Sequence, residues 1–232
     1  MIGVVVPAHD EEAVLAGCLA ALRQAAGHPA LQGEAVQLLV VLDTCTDGSA
    51  AAVAAAGVAA IEVGARSVGA ARAAGAAALL AQGARWLAFT DADTRVAADW
   101  LPAQLALQAD AVCGCVAVDD WGVFGPEVQR QYAAHYRDAD GHRHVHGANL
   151  GVSADAYRRA GGFRPLRCSE DVRLVEDLER TGARIAWSAA PRVVTSARRI
   201  ARAPGGFADF LRGLERYTTG LAHGGPLVPG AL

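Results

Sequence analysis

Residues 86–93 read Trp-Leu-Ala-Phe-Thr-Asp-Ala-Asp, an apolar run that ends in two acids separated by one small residue. A short apolar run that follows a glycine turn (Gly83) and closes on polar residues reads as a strand of a covered sheet. Acids at i and i+2 can aim both carboxylates to one side before the chain turns. Hard oxygen donors of this kind suit Mg2+ or Mn2+, which take phosphate oxygens as further ligands. An isolated Asp-x-Asp is also a common turn, so its surroundings decide between the two readings.

On the N-terminal side, strand and helix signals alternate. Residues 2–7 are a β-branched run stopped by Pro7, after which Asp10 is placed to cap a helix carrying Val14, Leu15, Cys18, Leu19 and Leu22 at helical spacing. Residues 36–42 form a second strand, 46–56 a helix closed by Gly57, 58–63 a third strand and 67–81 a helix ended by Gly83. On the C-terminal side come a helix over 99–109 and a fifth strand over 111–118. This rhythm predicts an α/β fold, a mostly parallel sheet covered by helices on both faces. After Asp119 the rhythm loosens into helices at 124–136, 153–160, 170–181 and 207–219, strands at 183–187 and 192–195, and a polar, His-rich loop over 138–147. Residues 224–232 read as a loose tail. With no internal repeat and no linker, both halves are expected to share one sheet.

The chain of 232 residues has a formal net charge of -3, which excludes a surface built as a whole to bind polyanions such as nucleic acid. All its basic residues are Arg, so Schiff-base chemistry and a P-loop lysine are excluded. Five cysteines without regular spacing give no disulfide framework. Cys113 and Cys115 face one way on a strand and read as ordinary buried thiols. No secretory leader and no membrane-length apolar run is apparent. The expectation is a cytoplasmic protein, with peripheral contact at the inner membrane face left open.

In an open parallel sheet, ligands collect beyond the carboxyl ends of the strands. Those ends carry Pro7-Ala8-His9-Asp10-Glu11-Glu12, Asp43-Thr44-Cys45-Thr46-Asp47 and Asp91-Ala92-Asp93. Crowded carboxylates repel one another, so they imply a cation, a donor-rich ligand or, for Asp10 and Asp47, helix capping.

These segments resemble the family 2 glycosyltransferases of the GT-A fold, a Rossmann-like nucleotide-binding architecture. Val4 through Glu12 looks like the opening of that family, and Val41-Leu42-Asp43-Thr44-Cys45-Thr46-Asp47-Gly48-Ser49 is close to its second motif. Gly69-Ala70-Ala71-Arg72-Ala73-Ala74-Gly75 resembles the third, and Phe89-Thr90-Asp91-Ala92-Asp93-Thr94 the D-x-D. Gly147-Ala148-Asn149 with Gly161-Gly162-Phe163 resembles the acceptor-side segment, and Ser169-Glu170-Asp171-Val172 the E-D motif. Leu42 departs from the pattern where the second motif has its first Asp, and Ala73 where Asn is common. The resemblance runs in order from residue 2 to about 187.

It implies a nucleotide-diphosphate sugar donor, an acceptor hydroxyl and a divalent cation, Mn2+ or Mg2+. Residues 1–120 would be the nucleotide-sugar-binding subdomain, and 121–232 the acceptor-binding and catalytic subdomain of the same domain. Pro7, His9 and Glu11 would line the base and ribose pocket, Asp43 would hold the base, and Arg72 would support the nucleotide. Asp93 would hold the metal, with Asp91 on the ribose or a metal-bound water. Asp171 would be the catalytic base beside Glu170, although paired acids at a helix start are often simple dipole partners.

Outside the motifs, His142, His144 and His146 alternate and face one way if extended; His146, next to Gly147, is a candidate further metal ligand, an exposed polar loop being the alternative. Arg198, Arg199 and Arg202 suit diphosphate or an anionic acceptor. Trp121 and Trp187 are candidates to stack on a sugar, with core packing as the rival role for Trp187. The expected reaction is glycosyl transfer, inverting if the base attacks opposite the diphosphate, to an acceptor of unknown identity, lipid-linked or polysaccharide by analogy. Two other functions compete. A sugar-phosphate nucleotidyltransferase is disfavoured by the acidic first loop and the missing Lys, and a non-catalytic nucleotide-sugar-binding module by the intact acids.

Overall fold

The computed structural model describes residues 1–166, 168–197 and 207–218. The alternating first half forms as expected: β1 (Ile2–Ala8), α1 (Glu12–Ala26), β2 (Val36–Asp43), α2 (Ser49–Ala55), β3 (Ala59–Val63), α3 (Val68–Ala81) and β4 (Trp86–Phe89). There follow β5 (Thr94–Val96), α4 (Trp100–Ala106), β6 (Ala111–Val118), α5 (Pro126–His135), β7 (Leu150–Ser153), α6 (Ala154–Ala160), α7 (Glu170–Arg180), β8 (Ile185–Thr195) and α8 (Phe207–Thr218). Among the described residues no helix is long and apolar enough to cross a membrane.

One sheet takes the order β3-β2-β1-β4-β7-β6-β8-β5. β1, β2, β3 and β4 are mutually parallel, and β6 is parallel to β8. β7 runs antiparallel between β4 and β6, and β5 antiparallel on the edge of β8. Both halves therefore share the sheet, and they interleave in it: β5 and β6 lie among the strands of the second half.

Period-two alternation divides the strands between two cores. Val4, Val6, Val40, Leu42, Trp86 and Ala88 face the layer of α1, α2 and α4. Val5, Leu39, Val41, Leu87 and Phe89 face the layer of α3, α6 and α7. Burial on both faces explains why these strands read as continuous apolar runs. α3 sits close to the sheet because Gly75 has no side chain: a Cβ there would lie 2.5 Å from Val5 Cγ1. A smaller cluster joins α5 to α8 through Val128, Tyr132, Leu211 and Leu214.

Three expectations change. β5 and β7 form in stretches for which the sequence predicts no strand. The two C-terminal strands are one strand, β8, which runs through Pro191. The β6–β8 register shifts between Gly114, opposite Ser188, and Val116, opposite Val193, so Pro191 lies in an irregular stretch where a missing N–H does no harm. The stretch is tied down by Asn149, whose Nδ2 donates to the Pro191 carbonyl (2.9 Å).

Candidate active site

The site is organised around one buried cation. Ser67 caps α3, its Oγ accepting the Ala70 N–H (3.3 Å), and Arg72 follows on the helix face turned inward. Arg72 is 3% exposed. Nη2 donates to Asp91 Oδ1 (2.6 Å), and Nη1 to Glu170 Oε1. Gly147 packs directly on the guanidinium: a Cβ there would come within 2.5 Å of Nη1 and closer to Nη2 and Cζ. The Gly147 N–H donates to Asp171 Oδ2 (2.7 Å). Gly69 allows the same close approach one turn earlier, since a Cβ there would lie 2.6 Å from the Arg164 carbonyl oxygen. Segments 69–75, 91–93, 147–149 and 169–172 thus meet at one point.

Burial alone would push the Arg72 guanidinium down, but Asp91, Glu170 and Asp171 outweigh it and hold Arg72 charged. Burial pushes the Glu170 carboxyl up, with Arg72 opposing and the neighbouring Asp171 adding to the rise. Glu170 and Asp171 open α7, where the helix N-terminus favours negative charge.

The loops after β1 and β2 are cross-linked. Thr46 N–H donates to Asp10 Oδ1 (2.6 Å), Glu12 N–H to Asp47 Oδ2 (2.9 Å), Gly48 N–H to Glu12 Oε2 (2.6 Å) and Glu11 N–H to Ser49 Oγ (2.8 Å). Asp10 has φ 53 and does not cap α1, whose N-cap residue is Glu11. Backbone donors therefore neutralise much of the acidic crowding that suggested a cation here. His9 Nδ1 bonds the Asp43 carbonyl oxygen (2.6 Å), and Pro7 is buried in β1.

Asp43, the expected base-binding acid, accepts the N–H groups of Ala65 (2.9 Å), Arg66 (2.8 Å) and Ser67 (2.8 Å) and the Thr44 hydroxyl (3.0 Å). Burial pushes its carboxyl up, but these donors prevail and hold it below the usual carboxylate range. Its geometry is that of a clasp which orders residues 65–67 and the start of α3.

The Asp91–Thr94 turn is closed by the Thr94 N–H on the Asp91 carbonyl (3.1 Å), so a single tight turn carries both D-x-D carboxylates. Both side chains are half-buried, and Asp91 is partly neutralised by Arg72. All-oxygen donors of this sort fit a hard divalent cation that draws further ligands from phosphate and water. Asp91, Asp93 and His146 do not converge as one ligand set. Among the described residues, the trio with ligand atoms within 4.8 Å of one another is Asp10, Cys45 and Asp47, whose two carboxylates already accept backbone N–H groups.

His146, the candidate further metal ligand, lies within a stack of rings. It is buried, its Nε2 lies 3.0 Å from the Tyr136 hydroxyl, and desolvation, with His144 and His142 adding, pushes it down to about 3. His142, His144 and His146 do share one side, but they face a ring stack rather than water: Tyr136 lies 4.2 Å from His144 and 4.8 Å from Tyr132. Trp121 packs edge-on against Tyr132 (5.2 Å), and Trp187 lies under the Arg143 guanidinium (4.8 Å). Arg198, Arg199 and Arg202 lie outside the described residues. The cysteines are free; burial pushes Cys113 well up and Cys115 to about 11, as ordinary buried thiols require.

Sequence reasoning missed the structural weight of Asn149. Fully buried, it donates to the Cys115 (2.7 Å) and Pro191 (2.9 Å) carbonyls and accepts the Trp100 indole N–H (2.8 Å). Gly114 leaves room for it, since a Cβ there would come within 2.7 Å of Asn149 Oδ1 and closer to its Nδ2.

The model of Glycosyl transferase family 2 matches residues 3–161. No curated protein sequence matches the chain. Among solved structures, Staphylococcus aureus TarS in complex with UDP-GlcNAc aligns with TM-score 0.67 at 13% identity, over 93% of this chain and 64% of that one. The mannosyltransferase PcManGT of Pyrobaculum calidifontis, in complex with GDP-Man and Mn2+, aligns with TM-score 0.64 at 18% identity, over 98% and 66%. Glucosyl-3-phosphoglycerate synthase of Mycobacterium tuberculosis, with Mn2+, UDP-glucose and phosphoglyceric acid, aligns with TM-score 0.63 at 18% identity, over 97% and 82%. The chain spans less than two thirds of the first two, and at these identities the shared property is the GT-A fold. The family match covers more than half of the chain and includes the opening motif, Asp43, Arg72 and the Asp91–Asp93 turn. The chain therefore belongs to glycosyl transferase family 2.

Proposed function

We propose that this chain is a glycosyltransferase that moves a sugar from a nucleoside diphosphate to an acceptor hydroxyl, with residues 1–120 supplying most of the donor pocket and residues 121–232 the acceptor side. The observation that carries this reading is the Arg72 junction. It brings Asp91 of the donor-side turn and the Glu170-Asp171 pair of the acceptor side onto one side chain. The relatives bound to UDP-GlcNAc, GDP-Man and UDP-glucose support a donor of this class.

Pro7, His9 and Glu11 line the base and ribose side, and Asp43 shapes that wall by holding residues 65–67. Asp93 and Asp91 would hold Mn2+ or Mg2+, which supplies charge stabilisation to a departing diphosphate. The structural neighbours in complex with Mn2+ support that choice of ion. Asp171 takes the acceptor hydroxyl proton; Gly147 N–H on its Oδ2 and Val172 N–H on its Oδ1 fix the carboxylate direction. Attack by an acceptor activated there, on the face opposite the diphosphate, inverts the anomeric centre.

A thermal-shift panel of UDP-, GDP- and dTDP-sugars, each with and without Mn2+, tests the donor assignment. A donor present at about 100 times its Kd stabilises by about 2.7 kcal/mol, a rise of about 5–10 °C for a chain of this size. Asp171→Asn is expected to retain that shift and lose transfer and donor hydrolysis by at least about a hundredfold. Undiminished turnover in Asp171→Asn would remove the base assignment. Donor binding without turnover by the unmodified chain would favour a binding module.

A further inference from the structure

Arg72 is built more deeply into the protein than a nucleotide ligand needs to be. Its guanidinium is buried, packed under Gly147 and 5.7 Å from the Phe163 ring, and it bridges two carboxylates separated by nearly eighty positions in the chain. One of them, Asp91, belongs to the turn that closes β4. The other, Glu170, is the first residue of α7 and neighbours Asp171. Asp171 in turn holds the Gly147 N–H, and Gly147 lies on the guanidinium. This is a closed ring of contacts, Arg72 to Glu170, Glu170 along the chain to Asp171, Asp171 to Gly147, and Gly147 back onto Arg72, with Asp91 attached to it through Arg72.

Two features set the stiffness of that ring. A planar guanidinium presents its two terminal nitrogens in fixed directions, so movement of one carboxylate is felt by the other; a lysine ammonium has no such fork. Backbone close to the guanidinium on the Gly147 side, and Glu170 Cβ only 3.0 Å from where a Gly69 Cβ would sit, leave little room for slack.

From this arrangement we infer that Arg72 is a positioning residue that couples the two halves of the site: an occupant drawing on Asp91 is transmitted through Arg72 and Glu170 to the direction of Asp171. The inference rests on the donor reading above and revises the role of Arg72 from nucleotide support to linkage. It predicts that the acceptor base is set most firmly when the donor side is loaded.

Two measurements on the full chain test it. The first needs no ligand: a double-mutant cycle of Asp91→Asn and Glu170→Gln, read by urea unfolding. Either single variant leaves Arg72 one bonded carboxylate; the double leaves the buried charge with no bonded carboxylate and only the neighbouring Asp171 for company. The double variant is expected to unfold more readily than the product of the single effects by about fivefold or more, within the range known for coupled neighbours. Additive effects overturn the coupling. The second measures amide hydrogen exchange with and without UDP plus Mn2+. Ligand is expected to slow exchange at Gly147 and over residues 170–174 in the unmodified chain. In Glu170→Gln that slowing is lost, while UDP and Mn2+ still bind within about threefold. Arg72→Lys is expected to behave as Glu170→Gln does. Slowing that persists in both variants overturns transmission. Loss of UDP binding in Glu170→Gln to the same degree as loss of slowing also overturns it, because Arg72 and Glu170 would then be donor ligands. If the unmodified chain binds no nucleotide with Mn2+, the donor reading fails and transmission with it. A non-additive cycle would in that case show that the ring itself stands.

Discussion

Gly147→Ala is the smallest change that reaches the centre of this site. The added Cβ would come within 2.5 Å of Arg72 Nη1 and closer to Nη2 and Cζ. The backbone is not the obstacle, because Gly147 is absent from the residues with positive φ. The end of an arginine side chain ordinarily moves aside at little cost. Here it is buried and held from two sides by Asp91 and Glu170, and Gly147 itself is held by Asp171. Relief therefore requires either overpacking, at about 1–3 kcal/mol, or the breaking of one buried ion pair, at about 3–5 kcal/mol. Partial relaxation of both gives an expected loss of about 2–4 kcal/mol. For a chain of this length that lowers the melting temperature by about 5–15 °C. Urea unfolding followed by far-UV circular dichroism reads it directly, with the m-value as a check that the unfolded state is unchanged. A Gly147→Ala variant within about 0.5 kcal/mol of the original would refute the tight junction.

Three further outcomes follow from the same structure. Gly17→Ala, at an exposed position of α1 with nothing within 4 Å of a new Cβ, is expected to stabilise by about 0.5–1 kcal/mol and to leave donor binding unchanged, as a thermal melt will show. Asn149→Ala leaves the Trp100 indole N–H and the Cys115 and Pro191 carbonyls without their partner, so a loss of about 3–5 kcal/mol is expected in urea unfolding; under about 1 kcal/mol would mean that the hub is dispensable. His146 is pushed down to about 3 by burial, and His142 and His144 are also lowered by burial, so the folded state binds fewer protons than the unfolded one. Their contribution is complete above pH about 6.5 and is lost as pH falls towards the folded value, by up to about 1.4 kcal/mol per pH unit for His146 alone. Unfolding midpoints between pH 7.5 and 5 are expected to fall, and His146→Gln to flatten that slope; a flat profile in the original chain would contradict the buried stack.

The N-terminal half was legible because its signals are local. Ser67 before a helical run, Gly57 and Gly83 after one, and apolar runs of strand length each report their own neighbourhood. β5 and β7 escaped because nothing local specifies them. Leu150–Ser153 is four residues with a glycine, and it becomes a strand only because β4 and β6 offer it antiparallel partners on both sides. Pro191 appeared to divide β8 for a similar reason: its fit depends on a register shift opposite β6 and on Asn149, more than forty positions away. The alternation of His142, His144 and His146 correctly showed a shared side. What covers that side, the Tyr136 and Tyr132 rings, is a tertiary fact.

The site divides along the same line. Resemblance of motifs assigns Asp91, Arg72 and Glu170-Asp171 to one active site, but it describes them as separate contributors, each with its own role. The contacts between them tell a different story. Asp43 is engaged by four protein donors, and Arg72 by two carboxylates, before any ligand is present. A side chain already engaged by its own protein acts first on the shape of the site, because drawing it onto a ligand costs the bonds it holds. Under the proposed function Asp93 and Asp171 do the direct chemistry: each sits half-buried at the start or end of an element, where a reacting group can approach. Motif membership therefore does not separate touching residues from supporting ones. Burial does: it puts Arg72 at the rigid core of the junction, and under the proposed function the half-buried Asp93 and Asp171 form its working edge.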